Sequence, residues 1–337
     1  MIPGYTTRVT SGGVCVLRWH YSASPHKRPG TPEGDEWLKE ESRVYLLGME
    51  DPRWKKEMEI QYSAMGGAFL FPLWEKWRRN GQIVVEPFPP VGYRLFASYD
   101  HGWANPACFH VHGMDSDGRF TLGLYEFYAD HVPAHLIADI IKGKDVTTQD
   151  GRRFRGNPWP SDISFIIADP SIWAEDLPQH NGPNKSTAKI FRECGVPMVP
   201  GERGGDATIA EWLHGYFWKD PQAPLLRIAC YRNRIEKRPE GKYYSGFGAP
   251  MLVWEIGQQR NKEFSAQVAL NRNNQEEFVD KDNHAWDSIK YFLKRFPPPD
   301  QKKRAEAHPN SFAWWRKQAQ RASKGEFQRN ATFRIGV

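Results

Sequence analysis

Three stretches of the sequence set a single carboxylate at the end of an apolar element. Phe165-Ile166-Ile167-Ala168 runs straight into Asp169-Pro170-Ser171. Arg94-Leu95-Phe96-Ala97-Ser98-Tyr99 runs into Asp100-His101-Gly102. The stretch from His284 to Leu293 has a helical period and carries Asp287 on its first turn. The first two read as buried strands whose tips push an acid out of the core. Isolated acids at the ends of core elements, far apart along the chain, are the oxygen donors that a hard divalent cation takes. Asp100, Asp169 and Asp287 are therefore the expected ligands of Mg2+ or Mn2+. Two such ions ~4 Å apart make a water nucleophilic and steady a leaving oxygen without a protein base. Asp100 is expected to bridge both ions, with Asp169 and Asp287 holding one each. Each acid also has a plainer role: a turn acid before Gly102, a cap before Pro170, and a first-turn acid favoured by the helix dipole.

Other polar residues surround these three. Asp280 and Asp282 precede the helix and read as solvated loop acids, with an accessory ligand role as the alternative for Asp282. His284 either orients a ligand or caps the helix. Lys290 either reaches a phosphate or pairs with a surface acid. Glu126 falls in a strand expected at the edge of the same sheet and is an accessory candidate. His110 and His112 alternate onto one strand face, read as half-exposed rather than as a metal site. His101, beside Asp100, is placed to touch a phosphate.

The elements that must position these residues follow from period and punctuation. Residues 1–90 have too few strands to close a domain and read as an adaptor. It holds a strand over 13–21, a helix started by Thr31 or Asp35, and a second helix over 53–62 capped by Asp51 with Pro52 in its first turn. Pro87-Phe88-Pro89-Pro90 is a stiff boundary. Three antiparallel strands follow over 93–99, 107–114 and 120–128, the last two joined by a turn at Asp115-Ser116-Asp117-Gly118. A helix over 132–142, the Asp169 strand, a helix over 185–194, a short edge strand over 196–200, a helix over 207–218, a fifth strand over 224–230 and a helix from 231 to 238 come next. Residues 242–279 are expected to hold a hairpin and a partner-facing surface. The order is that of an RNase H-like α/β fold, a mixed β-sheet with helices on both faces, over 91–296. Residues 297–337 form a basic tail.

Bulk properties narrow the classes. The 337 residues carry a net charge of +6, and residues 301–337 hold nine Lys or Arg against two Glu. The body is thus near neutral, and the tail suits a polyanion or a solvated terminus. No run approaches the ~20 apolar residues of a membrane helix. Met1-Ile2-Pro3-Gly4-Tyr5 lacks the charged end and apolar block of a signal peptide. The four cysteines are scattered with no CxxC pair, which argues for reduced thiols. No GxxxxGK[ST] phosphate loop is present.

Together the three acid motifs resemble those of viral terminase large subunits, the genome-packaging motors of tailed bacteriophages. Asp100-His101-Gly102-Trp103-Ala104-Asn105-Pro106 resembles the family's D-x-G followed by a short loop and a proline. Ala168-Asp169-Pro170-Ser171 resembles an apolar strand ending in A-D-P/S. Asn283-His284-Ala285-Trp286-Asp287-Ser288-Ile289-Lys290-Tyr291 resembles D-H-x-x-D-A-x-R-Y, with Asn283 where an acid often precedes the histidine. The first 80 or so residues resemble the exit from the family's ATPase domain, through Trp54, Glu57 and the Gly67-to-Pro72 element. The likeness spans roughly residues 10–296, and the missing Walker motifs make this the nuclease half only.

The resemblance implies a metal-dependent endonuclease that cuts double-stranded viral DNA with little sequence specificity during packaging, in the host cytoplasm. It implies the portal, the small terminase subunit and an ATPase domain as partners. Arg152, Arg153, Arg155, Arg203, Lys302, Lys303 and Arg304 would hold the DNA backbone without reading bases. Two rivals share some of these features. One is an RNase H-like transposase, integrase or junction resolvase, which the adaptor fits poorly. The other is a non-catalytic DNA-holding or motor-docking module whose acids serve structure.

Overall fold

A computed structural model describes residues 4–9, 12–45, 47–61, 64, 66–174, 186–203, 206–218, 224–235, 243–263, 278–279 and 281–296. The basic tail, with Lys302, Lys303 and Arg304, lies outside them, as do Asp280 and the end of the helix expected over 231–238.

β1 (Tyr5–Val9) and β2 (Cys15–Trp19) form an antiparallel hairpin. α1 (Pro32–Ser42) starts where Thr31 Oγ1 accepts the Gly34 N–H. α2 (Pro52–Glu57) starts at Asp51, which accepts the Arg53 N–H at 2.9 Å, with Pro52 in the first turn. α2 ends at Glu57, short of the predicted Tyr62, and Ile60 beyond it takes a left-handed φ of 57°. Trp54 is fully buried against Tyr21, Trp37 and Tyr45. α3 (Trp74–Trp77) and β3 (Val84–Val85) follow. Trp74 and Trp77 sink into the main core and β3 joins the main sheet, so the end of the expected adaptor is built into the following fold.

β4 (Arg94–Asp100), β5 (Ala107–Met114) and β6 (Phe120–Ala129) are the three expected antiparallel strands. Asp115 closes the second turn by accepting the Asp117 and Arg119 N–H groups. Then come α4 (Ala134–Ile141), the small hairpin β7 (Val146–Thr147) and β8 (Arg153–Phe154), β9 (Ile163–Ala168), α5 (Thr187–Glu193) and β10 (Val199–Pro200). The chain continues through α6 (Asp206–Trp218), β11 (Leu226–Ala229), β12 (Tyr244–Phe247), α7 (Pro250–Gln258) and α8 (His284–Arg295).

The main sheet runs β10-β9-β4-β5-β6-β11-β3, with β12 also on β6. β9 lies parallel to β4, and β10 parallel to β9. Three antiparallel strands followed by two parallel to the first make this the RNase H-like order. Two expectations need correction. The strand over 224–230 is not the fifth of that order: β11 lies on the far side of β6, parallel to it, and the short β10 takes the fifth place. Residues 243–258 do not face a partner either. β12 closes on β6, and α7 buries Met251, Leu252, Val253 and Ile256 to 1% exposure or less. The helical period of α7 is masked because an acid, Glu255, also points inward. The helix expected from 231 is a single 3-10 turn, Arg232–Arg234, over the residues described.

Side chains alternate between two layers. Leu95, Ala97 and Tyr99 of β4 face the layer of α4 and α5, while Phe96 of β4 and Cys108 and Tyr128 of β5 and β6 face that of α6, α7 and α8. By the same alternation Ser98, Asp100, His110, His112 and Glu126 fall under α7 and α8. His110 and His112 are therefore fully buried, not half-exposed, because α8 covers them, with the Phe292 ring 4.2 Å from that of His112. The four cysteines are free. Among the described residues no helix is long and apolar enough to cross a membrane.

One buried group predicts an acid limit. His214 of α6 donates from Nε2 to the Leu70 carbonyl at 2.5 Å and stacks on Phe71. Burial, helped by Arg53, pushes its pKa down to about 4. The folded pKa lies below the unfolded one, so the contribution is whole above about 6.5 and is lost as pH falls through 4. Thermal melts between pH 7 and 4 should show His214→Gln losing about 3 kcal/mol less than the parent across that window.

Candidate active site

The site begins with strand register. Parallel pairing sets Tyr99 opposite Ala168, and the Asp169 N–H donates to the Tyr99 carbonyl at 2.9 Å. Asp100 and Asp169 therefore leave adjacent strands at the same carboxyl end, where open α/β sheets place their ligands. α8 crosses this face, packed on β4, β5 and β9. Its first turn brings His284 Nδ1 to 3.5 Å from Asp100 Oδ2 and places Asp287 beside the pair.

The carboxylates feel one another. Burial pushes Asp100 up to about 7; contact with His284 pulls it down, and Asp287 and then Asp169 push it up. Burial alone would lower His284, but Asp100 and the neighbouring acids outweigh it and raise its pKa. Lys290 Nζ stands 2.6 Å from Asp287 Oδ1, and Asn283 Nδ2 donates to Oδ2 at 3.3 Å. Asp169 also plays its plainer role: it caps the 3-10 turn Pro170–Trp173, accepting the Ser171 N–H at 2.9 Å and the Ser171 hydroxyl. Tyr291, one turn beyond Asp287, hydrogen-bonds Asp169; burial first, then all three acids, raise its pKa. Sequence reasoning passed over Tyr291, although its spacing of four from Asp287 puts both on one helix face. Gly201 makes room for it, since a Cβ there would meet the ring at 2.7 Å.

These residues fit a hard divalent ion. The donors are carboxylate oxygens, and Asp100 is a buried acid between two others, a charge pattern that a cation relieves. Among the described residues, the group of three whose ligand atoms all lie within 4.8 Å of one another is Cys108, His110 and Glu126, not the aspartates. The aspartates stand further apart than the donors of one closed cage, as a pair of ions requires. The Cys108 group is fully buried and already satisfied: His110 Nε2 meets Glu126 Oε1 at 2.9 Å, and burial keeps the Cys108 thiol protonated.

The remaining candidates scatter. Glu126 is not on an edge strand: β6 lies between β5 and β11, and Glu126 pairs with His110, two residues back from the lip. Asp282 takes a left-handed φ of 50°, its carbonyl accepting Gln259 Nε2, and it is Asn283 that meets Asp287. His101 Nδ1 lies 3.2 Å from the Tyr99 hydroxyl. Arg203 is exposed in the loop after β10, near Gly201. Arg152 pairs with Asp130 at 3.1 Å and Asp150 at 2.8 Å, leaving its side chain 15% exposed. Arg153 and Arg155 are exposed on the β8 side, Arg155 lying 4.7 Å over the Phe247 ring.

No protein-family model and no curated protein matches the chain. Among solved structures it resembles a full-length large terminase from a thermophilic bacteriophage, at 13% identity and TM-score 0.45 over 69% of this chain and 46% of that one. The P22 large terminase nuclease domain is similar at 14% identity and TM-score 0.43, over 68% of this chain and 94% of that one. The large terminase nuclease of thermophilic phage G20c with bound cobalt is similar at 10% identity and TM-score 0.35, over 63% and 86%. The chain matches about half the length of the first of these proteins.

Proposed function

We propose that this chain is a metal-dependent endonuclease that cuts double-stranded DNA, the nuclease part of a phage genome-packaging motor. The observation that carries the reading is the convergence of Asp100 and Asp169 at adjacent strand ends with Asp287 from α8, close enough to shift one another's charge. Asp100 would stand between two Mg2+ or Mn2+ ions, with Asp169 and Asp287 on either side. Such ions supply a nucleophilic water and a counter-charge for the leaving oxygen. His284 holds the Asp100 carboxylate in place, and Tyr291 with Ser171 holds that of Asp169. Lys290 sets a fixed positive charge against Asp287, within reach of a phosphate. Arg203, Arg153 and Arg155, with Lys302, Lys303 and Arg304 of the tail, would bind the backbone and leave sequence unread. The ATPase domain, the portal and the small terminase subunit are the partners this reading calls for, in the host cytoplasm.

Supercoiled plasmid incubated with the protein and Mn2+ should pass to nicked and linear forms. Chelation with EDTA, or Asp169→Ala, should remove that activity. Unchanged cutting by a clean, folded Asp169→Ala protein would overturn the assignment.

A further inference from the structure

Two carboxylates that the proposed chemistry does not use are buried without any exposure, Glu126 and Glu255. A buried acid persists only where hydrogen bonds replace its water. Here each is given to a helix N-terminus. α7 and α8 both lack a side-chain cap of their own, at Ala249 and at Asn283. Glu126 accepts the Met251 N–H at 2.9 Å and the Leu252 N–H at 3.0 Å, so a residue of β6 caps α7. Glu255, carried by α7, accepts the Ala285 N–H at 2.7 Å and the Trp286 N–H at 3.0 Å, so α7 caps α8. Tyr128 of β6 donates to the other oxygen of Glu255 at 2.9 Å. The sheet thereby fixes α7, and α7 fixes the first turn of α8, where Asp287 sits.

A second tie sets the rotation of α8. The Gly123 N–H points at His112 Nδ1 at 3.3 Å, which makes that nitrogen the acceptor and leaves the proton on Nε2. His112 Nε2 then donates to Ser98 Oγ at 2.8 Å. Ser98 donates to Ser288 Oγ at 2.8 Å, and Ser288 to His110 Nδ1 at 3.1 Å. His110 Nε2 ends the chain on Glu126 Oε1 at 2.9 Å. Running in this one direction, each proton is used once and both imidazoles are neutral, as full burial favours for His112. Ser98 is two residues before Asp100 on the same strand face, and Ser288 directly follows Asp287.

We propose that Glu126, Glu255 and the Ser98–Ser288 link form a positioning frame that sets the height and rotation of α8 and so aims Asp287 at Asp100. This inference rests on the active-site reading above. None of these residues touches a reacting atom, so their effect should appear in metal affinity and turnover rather than in DNA binding.

The test is titration calorimetry with Mn2+ alone on the full chain, with kcat and KM measured on a duplex. Ser288→Ala should weaken Mn2+ about tenfold and lower kcat by a similar factor, with KM unchanged. Glu255→Gln, which turns an amide N–H toward the N–H groups of α8, should do the same by a separate route. Ile137→Val, in α4 on the opposite layer, controls for general destabilisation and should leave Mn2+ affinity alone. Mn2+ binding that survives Ser288→Ala and Glu255→Gln within twofold, yet is lost in Asp100→Asn, overturns the frame and spares the site. Mn2+ binding untouched by Asp100→Asn overturns both.

Discussion

Asp100→Asn should lower Mn2+-dependent cleavage by about a thousandfold or more and, at the same time, make the metal-free protein more stable at pH 8. The first effect follows if Asp100 bridges both ions, because an amide oxygen is a poor substitute for a carboxylate between two cations. The second follows from burial. Asp100 is 5% exposed, and burial beside Asp287 and Asp169 pushes it up to about 7, against an ordinary value of 3.8. A group whose folded pKa is raised contributes fully below the unfolded pKa and loses that contribution as pH rises through the folded one. At pH 8 in EDTA the parent therefore holds an ionised acid that the fold disfavours, at a cost on the order of 2–4 kcal/mol. Melts in EDTA at pH 8 should favour the Asn variant, and at pH 4 the difference should vanish. Saturating Mn2+ should reverse the order, because only the parent gains from binding. An Asn variant that cuts at the parental rate, or melts below the parent at pH 8 in EDTA, contradicts this account of Asp100.

Phe292→Ala should cost about 3–5 kcal/mol of stability, the range for deleting a fully buried aromatic ring. Phe292 has no exposed surface and sits at the centre of the α8 contact with the sheet. Its ring lies 4.2 Å from His112, 5.5 Å from Phe120, 6.1 Å from Phe96 and 5.0 Å from Phe296. Alanine leaves a cavity lined by rings held by the strands, which cannot collapse to fill it. Denaturant unfolding would read the loss as a lower midpoint with an unchanged slope. The comparison with Phe191→Ala is informative. Phe191 is equally buried, but in the layer of α4 and α5. Both variants should be destabilised, whereas Mn2+ affinity should fall further for Phe292, whose helix carries Asp287. Equal Mn2+ affinities at equal stability would separate the packing of α8 from the site.

Much of the architecture was legible because its signals are local. Thr31 and Asp51 cap helices as their types and neighbours suggest, and Asp115 closes a turn. The three apolar strands and the amphipathic α8 were plain from period alone. β10 and β11 were misplaced because a short apolar run carries no mark of which edge it joins; Leu226 to Ala229 looks the same on either side of the sheet. α7 stayed hidden because Glu255 interrupts its apolar face, and only the N-terminus of α8 explains an acid there.

The aspartates divide in the same way. A strand that ends in a lone acid announces that acid wherever it folds, and so Asp100 and Asp169 could be picked out from sequence. Whether two such ends lie side by side is a matter of register between segments more than sixty residues apart, and the β4–β9 pairing decided it. Roles that depend on long-range contact were beyond sequence altogether. Lys290 on Asp287, Tyr291 on Asp169, Arg152 engaged by Asp130, and the buried pair His110 and Glu126 all take their function from a neighbour that only packing supplies. Residue type and period determine what each segment can form and which groups it can offer. Desolvation and hydrogen-bond geometry, which exist only once the layers close, determine which of those groups meet and what charge they carry.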